Sequence, residues 1–299
     1  MACTNERLPG RSRREFLKVL GWAGSVFLCR PKQLLANGSE DAPFTGSIDF
    51  KFRTVDIRHL LEIKSVLDKL DRERRVSRQK IIQGYLKDLE YQAPKQMPNA
   101  RSVIVVSSPA HLRSVGFRWK GTTHTLLVPG GYFYYENEAF REPLRRQVAA
   151  RVVGDAKANL VFANPALKTL AVRSGLAEYG KNNITYVDGY GSFHILWAFF
   201  CEAELPDQWT RPYRTMRACE GCSVCARDCP TQAIRGSDFV LDAGRCITAY
   251  NEVKEPLPDW IDAKAHNSLI GCLKCQYDCP ANYVPRQKCE QGRRILNGQ

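Results

Sequence analysis

The chain has 299 residues, of which 44% are hydrophobic and 25% charged, with a formal net charge of +13. That balance excludes a disordered or fibrous chain, and the length fits one large domain or two modest ones. Residues 1 to 36 hold seven Lys or Arg against two Glu, a net +5, which leaves +8 for a mildly basic solvated surface, so no nucleic-acid partner is expected.

Taken in order, the chain opens on Ser12-Arg13-Arg14-Glu15-Phe16-Leu17-Lys18, a full twin-arginine pattern. The apolar stretch from Val19 to Cys29 is too short to span a bilayer, and cleavage is expected near Ala36. The expectation is a signal peptide over 1–36, recognised by the twin-arginine export machinery. The mature protein then sits in the periplasm or on the outer face of the cytoplasmic membrane, soluble or peripherally associated. The competing reading is a basic cytoplasmic N-terminus that matches by accident.

Apolar residues at helical spacing, Leu60 to Leu70 and Ile81 to Leu89, predict helix over 53–91. The charged run Asp71 to Arg75 marks a solvated junction, and Pro94 and Pro98 end the region. Val103 to Val106 predicts a buried strand, and Thr125 to Val128 a second. The aromatic run Tyr132 to Tyr135 follows Gly130-Gly131 and reads as core more than as pocket lining. A helix is expected from Ala139 to Val153. Gly175 and Gly180 bracket a turn before the apolar Ile184 to Val187, a loop whose backbone could approach a flat ligand closely. Phe193 to Phe200 predicts a central strand, with His194 a core histidine rather than a metal ligand. Composition changes after Pro206, which places a domain boundary near residue 210: an α/β domain over 37–210 and a second domain over 211–299.

That second domain carries Cys219-x2-Cys222-x2-Cys225-x3-Cys229-Pro230, then Cys246, then Cys272-x2-Cys275-x3-Cys279-Pro280. The first run has bacterial ferredoxin spacing, in which three close thiolates wrap three iron corners and the fourth cysteine serves the other cluster. Two 4Fe–4S clusters need eight thiolates, and Cys246 supplies the eighth. The expected ligand sets are Cys219, Cys222, Cys225 and Cys279 for one cluster and Cys229, Cys246, Cys272 and Cys275 for the other. A pair of zinc sites would use two Cys-x2-Cys pairs but leave both Cys-x3-Cys-Pro endings unexplained. Cys3, Cys29, Cys201 and Cys289 show no paired spacing.

With these residues in view, the chain over roughly 99–285 resembles the corrinoid-dependent epoxyqueuosine reductase and reductive dehalogenase superfamily. Gly175-Leu176 and Gly180-Lys181-Asn182 are similar to the epoxyqueuosine reductase loop, Glu178 is more like the dehalogenase pattern, and the place of Cys246 fits both. The resemblance implies a nitroreductase-like α/β domain that binds cobalamin, followed by a ferredoxin-like double-cluster domain. It implies that Gly175, Leu176, Gly180, Lys181 and Asn182 border the corrinoid. It further implies a low-potential electron donor and reductive cleavage of a small organic substrate such as an organohalide. Phe162 stands where the related reductases carry an acid, and a phenyl ring delivers no proton. The chain also stops soon after the clusters, without the helical-repeat region that those reductases use with transfer RNA. Tyr134, Tyr135 and Tyr179 are open as proton donors, and nothing selects one. The alternatives are an exported ferredoxin-like electron-transfer protein with a cofactor-free first domain, and a corrinoid-binding or redox-sensing partner without turnover.

Overall fold

A computed structural model describes residues 46–134, 137–210, 212–235, 240–253, 256–265, 267–291 and 294–297. The twin-arginine segment, Cys3, Cys29 and Tyr135 lie outside the described residues.

The centre of the first domain is a four-stranded antiparallel sheet in the order β1-β2-β8-β5. Its strands are β1 (Lys51–Asp56), β2 (Ser102–Pro109), β8 (His194–Cys201) and β5 (Val161–Ala163). The two inner strands are apolar almost without interruption because both sheet faces are covered. On one face Val103, Val105, Ala198 and Phe200 pack with Leu60 and Ile63 of α1 (His59–Arg72) and Leu170 of α5 (Leu167–Arg173). On the other, Ile104, Val106, Trp197 and Phe199 pack with Leu144 and Val148 of α4 (Glu138–Val148). The alternation of these sets along β2 and β8 is the two-residue period of a pleated strand. The expected strands at 103–106 and 193–200 are both present and central, and α4 continues as one π-helical turn over Ala149–Val153, filling the predicted 139–153 helix.

The expected helix over 53–91 is corrected at its start. Residues up to Asp56 form β1, and helix begins only at His59. The apolar helical spacing starts at Leu60, whereas Lys51 to Asp56 finds its hydrogen-bond partners across the sheet on β2. The junction at 71–75 is as expected: α1 ends at Arg72, Arg74 takes a positive φ of 55°, and α2 (Lys80–Lys87) follows. A second sheet joins β4 (Thr122–Val128) to β3 (Arg113–Trp119), with β9 (Arg294–Asn297) alongside β3.

Residues 206–210, the exit from this domain, are fastened to it. Thr54 donates to the Pro206 carbonyl at 2.6 Å, and Thr210 N donates to the Arg173 carbonyl at 2.6 Å. Trp209 is sandwiched between the His59 ring, stacked at 4.4 Å, and the Arg173 guanidinium at 4.5 Å. Past this point the helices are single turns: α6 (Val224–Arg227), α7 (Ile247–Asn251) and α8 (Lys274–Tyr277), followed by the longer α9 (Tyr283–Gln291).

Candidate iron–sulfur centre and its supporting loop

Gly221 and Gly271 each precede a cysteine of one run, and each takes a positive φ, 68° and 66°. That conformation favours glycine and turns the chain so that successive cysteines face inward. Cys225 lies on α6, Cys275 on α8, and Cys246 caps the start of α7. The described cysteines are all free thiols.

Burial and neighbouring thiols perturb several of the cysteines. Burial, then the charges of Cys219, Cys279 and Cys222, push the Cys225 thiol up to about 11. Those four cysteines also line one cavity, together with Lys181, Asn182 and Tyr186. Burial raises the Cys275 thiol well above the ordinary range, and Cys272, Cys246, Cys225 and Cys229 add to it. Cys272 is raised by burial and by Cys246 and Cys229, against a lowering hydrogen bond from Asn267 at 3.3 Å. The cavity thus brings together Cys219, Cys222, Cys225 and Cys279. Four thiolates around a shared cavity suit the corners of a cubane.

The loop after α5 sits directly behind these quartets. β6 (Glu178–Tyr179) and β7 (Thr185–Tyr186) form a hairpin whose turn begins at Gly180. A Cβ at Gly180 would meet Asn182 Oδ1 at 2.5 Å and the Tyr186 ring at 2.7 Å, so only glycine fits. Lys181 Nζ donates to the Cys222 carbonyl at 2.9 Å. Asn182 Nδ2 donates to the Tyr186 hydroxyl at 2.9 Å and to the Cys275 carbonyl at 3.2 Å. Tyr186 lines the same cavity as Cys279. Further on, Asn282 is fully buried, accepts from Ser192 N at 3.0 Å, and donates to Ser192 Oγ and the Gln276 carbonyl, both at 2.7 Å. Of the residues expected to border a corrinoid, Leu176 lies in the hydrophobic core and Gly175 backs onto Arg214 and Thr210. The Lys181 and Asn182 side chains are taken up by the cluster segments. These side chains do not fit corrinoid contacts.

The other singled-out residues find structural places. Phe162 packs on Phe199 at 4.6 Å beneath the Arg141 guanidinium at 4.1 Å, which leaves no acid on β5 at that position. His194 contacts Ser107 at 3.1 Å and the Thr185 carbonyl at 3.0 Å, and burial pushes it down to about 4, as expected of a core histidine. Tyr179 is buried against Thr169, and Tyr134 packs on Phe140 at 4.8 Å. Tyr132 departs from the core reading. It is partly exposed, in the single helical turn α3 (Gly131–Tyr134), and its hydroxyl donates to Glu252 just past α7, whose other oxygen accepts from Tyr85 at 3.0 Å. Lys168 bonds to Asn183 Oδ1 at 2.6 Å. Its side chain reaches solvent, yet surrounding protein pushes its ammonium pKa down, while Cys246 and Cys275 push it up. The sequence reading missed Tyr186, Asn282 and Glu252. Only the spacing of Tyr186 from Gly180 offered a signal, and that spacing is common in hairpins.

Residues 218–282 match the model of the 4Fe-4S double cluster binding domain. Epoxyqueuosine reductase of Lactococcus garvieae is 28% identical over 48% of this chain and 42% of its own length. That of Pseudomonas aeruginosa is 34% identical over 40% of this chain and 32% of its own. The chain is similar in sequence to epoxyqueuosine reductases over part of its length. It spans less than half the length of either protein. The structure of epoxyqueuosine reductase from Streptococcus thermophilus has the same fold, with a TM-score of 0.54 at 19% identity over 84% of this chain and 65% of that one. Another epoxyqueuosine reductase, at a TM-score of 0.53 and 19% identity over 85% of this chain and 65% of its own, was solved with an epoxyqueuosine-modified tRNA stem loop. The α/β fold, the superfamily resemblance and two 4Fe–4S clusters as cofactors are borne out. The expectation of export is corrected: these relatives share the epoxyqueuosine reductase name, and tRNA is an intracellular molecule. The same finding stands against the expectation of no nucleic-acid partner. Among the described residues, no helix is long and apolar enough to cross a membrane.

Proposed function

We propose that the chain is an iron–sulfur oxidoreductase, with a substrate domain over 37–210 and a double-cluster domain over 211–299. Cys219, Cys222, Cys225 and Cys279 hold one 4Fe–4S cluster; Cys229, Cys246, Cys272 and Cys275 hold the other. What supports this reading is the match of residues 218–282 to the 4Fe-4S double cluster binding domain, with Cys219, Cys222, Cys225 and Cys279 lining one cavity. Single electrons enter from a low-potential donor and pass through the clusters to the substrate. The substrate class that the relatives support is an oxidised nucleoside carried on tRNA, and a basic chain suits a phosphate backbone.

The test is metal content after anaerobic reconstitution with iron, sulfide and cobalamin. About eight irons per chain are expected, falling to about four in Cys225→Ala and in Cys246→Ala. An unchanged iron content in Cys246→Ala removes it as a ligand. One cobalt per chain would add a corrinoid on the acceptor side. Single-turnover reduction of an epoxyqueuosine-modified stem loop then tests the substrate. Phe162 favours a second reading, an electron carrier that fills its clusters and reduces no stem loop.

A further inference from the structure

We propose that the outer half of the β3–β4 hairpin is a docking ribbon for the phosphate backbone of an RNA stem, with Arg118 and Lys120 as its charged contacts. The inference rests on the tRNA reading above and adds the surface that holds the RNA.

No Asp or Glu lies between Tyr91 and Tyr135, whereas Lys95, Arg101, Arg113, Arg118 and Lys120 all do. Two of these cations are used by the fold: Arg101 pairs with Glu204 at 2.7 Å, and Arg113 is buried at the base of β3. Arg118 and Lys120 are exposed and take no ion pair among the described residues. Elsewhere exposed cations sit on acids, as Lys51 does on Asp188, Lys64 on Asp68 and Lys274 on Asp278. A cation that neutralises nothing in its own chain is free to replace the counterions of a phosphate backbone.

The hairpin holds these charges out in solvent. Its ladder runs from Arg113 opposite Val128 to Trp119 opposite Thr122, and Lys120-Gly121 closes it as a two-residue turn. Both turn residues take a positive φ, 47° and 79°, as a type I′ turn requires. Asn, Asp or Gly is the favoured residue at the first of these positions, and lysine pays for that backbone with no gain to the turn itself. What lysine adds there is a charge at the tip. The base is anchored, with Leu112, Ser114 and Val128 buried and β9 alongside β3. The outer half is exposed from Lys120 to Thr123, and a Cβ on Gly121 meets nothing within 4 Å. Arg118 stands opposite Thr123, so a guanidinium and a hydroxyl share one face of the ribbon.

Phosphate oxygens accept hydrogen bonds from both kinds of group. A-form RNA carries its phosphates along the rims of a wide, shallow minor groove, open to a tip two strands wide. Such contacts position the RNA and carry no sequence information, so the ribbon adds affinity for any stem. The choice of nucleoside is left to the rest of the chain.

The test uses the full chain, reconstituted anaerobically, and a fluorescent RNA stem loop titrated over a range of salt concentrations. Lys120→Asn is the decisive variant, because Asn suits the turn and removes the charge. It should melt no lower than the wild type, yet bind the RNA more weakly and reduce the salt slope of log Kd by about one. Arg118→Gln should do the same, and the double variant should reduce the slope by about two. Lys157→Gln, at an exposed cation outside the hairpin, should leave the slope as it is. Unchanged affinity and slope in the double variant overturn the proposal and leave the tRNA reading standing. A double variant that keeps RNA binding but loses binding to phosphatidylserine vesicles also overturns it, and makes the partner a lipid surface. In the wild type, bound RNA should protect Lys120 from acetylation and leave Lys157 reactive; equal reactivity of Lys120 with and without RNA overturns the proposal even if no variant folds. A wild type that binds no stem loop at low salt overturns the tRNA reading itself, and this proposal with it.

Discussion

Gly180 shows how one residue type decides the geometry of the site. The space its missing side chain leaves is filled by the Tyr186 ring and by Asn182, and both are committed to the cluster segments. Gly180→Ala should therefore cost about 1–3 kcal/mol by overpacking. A denaturant melt of the reconstituted protein measures this, and an unchanged midpoint would mean the hairpin yields without loss. Asn282 is the second such position. Asn282→Ala deletes all three of its bonds and strands the buried Ser192 amide, at a cost of about 1–3 kcal/mol. The amide of Ser192 should lose hydrogen-exchange protection in that variant ahead of the β2 and β8 amides. Neither role is visible in sequence, because Gly-x-Asn and Pro-x-Asn occur in any number of turns. The partners that give these residues meaning lie on segments distant in the chain.

At the scale of elements, the link between the two domains is a latch built on α1. Burial pushes the Glu62 carboxyl up, but hydrogen bonds from His59 and Trp209 more than offset it, so its pKa lies below the ordinary value. Asp207 behaves likewise: burial raises it, and His59 and backbone N–H groups bring it below. Folded-state pKa values below the unfolded ones mean that this stability is fully present above about pH 4, the unfolded carboxylate range, and is lost as pH falls through the folded values. Both carboxylates are partly exposed, so the contribution is modest. Trp209 emission should report release of the latch below about pH 4, before the sheet melts, and His59→Ala should remove that early phase. The strands β2 and β8 were legible from their apolar runs, since a strand covered on both faces needs no partner information to declare itself. β1 was not, because Lys51 to Asp56 is mixed in character and is a strand only by pairing with β2.

For the whole molecule, the two halves are held together by different forces. The first domain has two large apolar clusters on either side of its sheet. Among the described residues from 212 to 282 the apolar clusters are small, one around Ile247 and one that joins Leu273 to Leu112 and Phe193 of the first half, and the α-helices have four or five residues and would not persist alone. The order of this second half therefore depends on iron–thiolate bonds, as in other small metal-bound domains. Removing the clusters with a chelator under mild oxidant should leave β2 and β8 protected from hydrogen exchange while residues 217–282 exchange freely. Uniform loss of protection over both halves would show instead that they fold as one unit.

The sequence by itself determined the clusters, because cubane chemistry demands thiolates at short fixed spacings and so writes its ligands into local motifs. It determined the buried central strands for a similar reason: full burial demands an unbroken apolar run. What the glycine loop does was decided only in three dimensions. Lys181 and Asn182, two of the five residues similar to a corrinoid border, turn their side chains to the cluster segments. That outcome depends on Cys222 and Cys275 arriving from beyond residue 210. A hydrogen bond between distant segments leaves no period and no spacing in either one, so only the folded chain could show these partners.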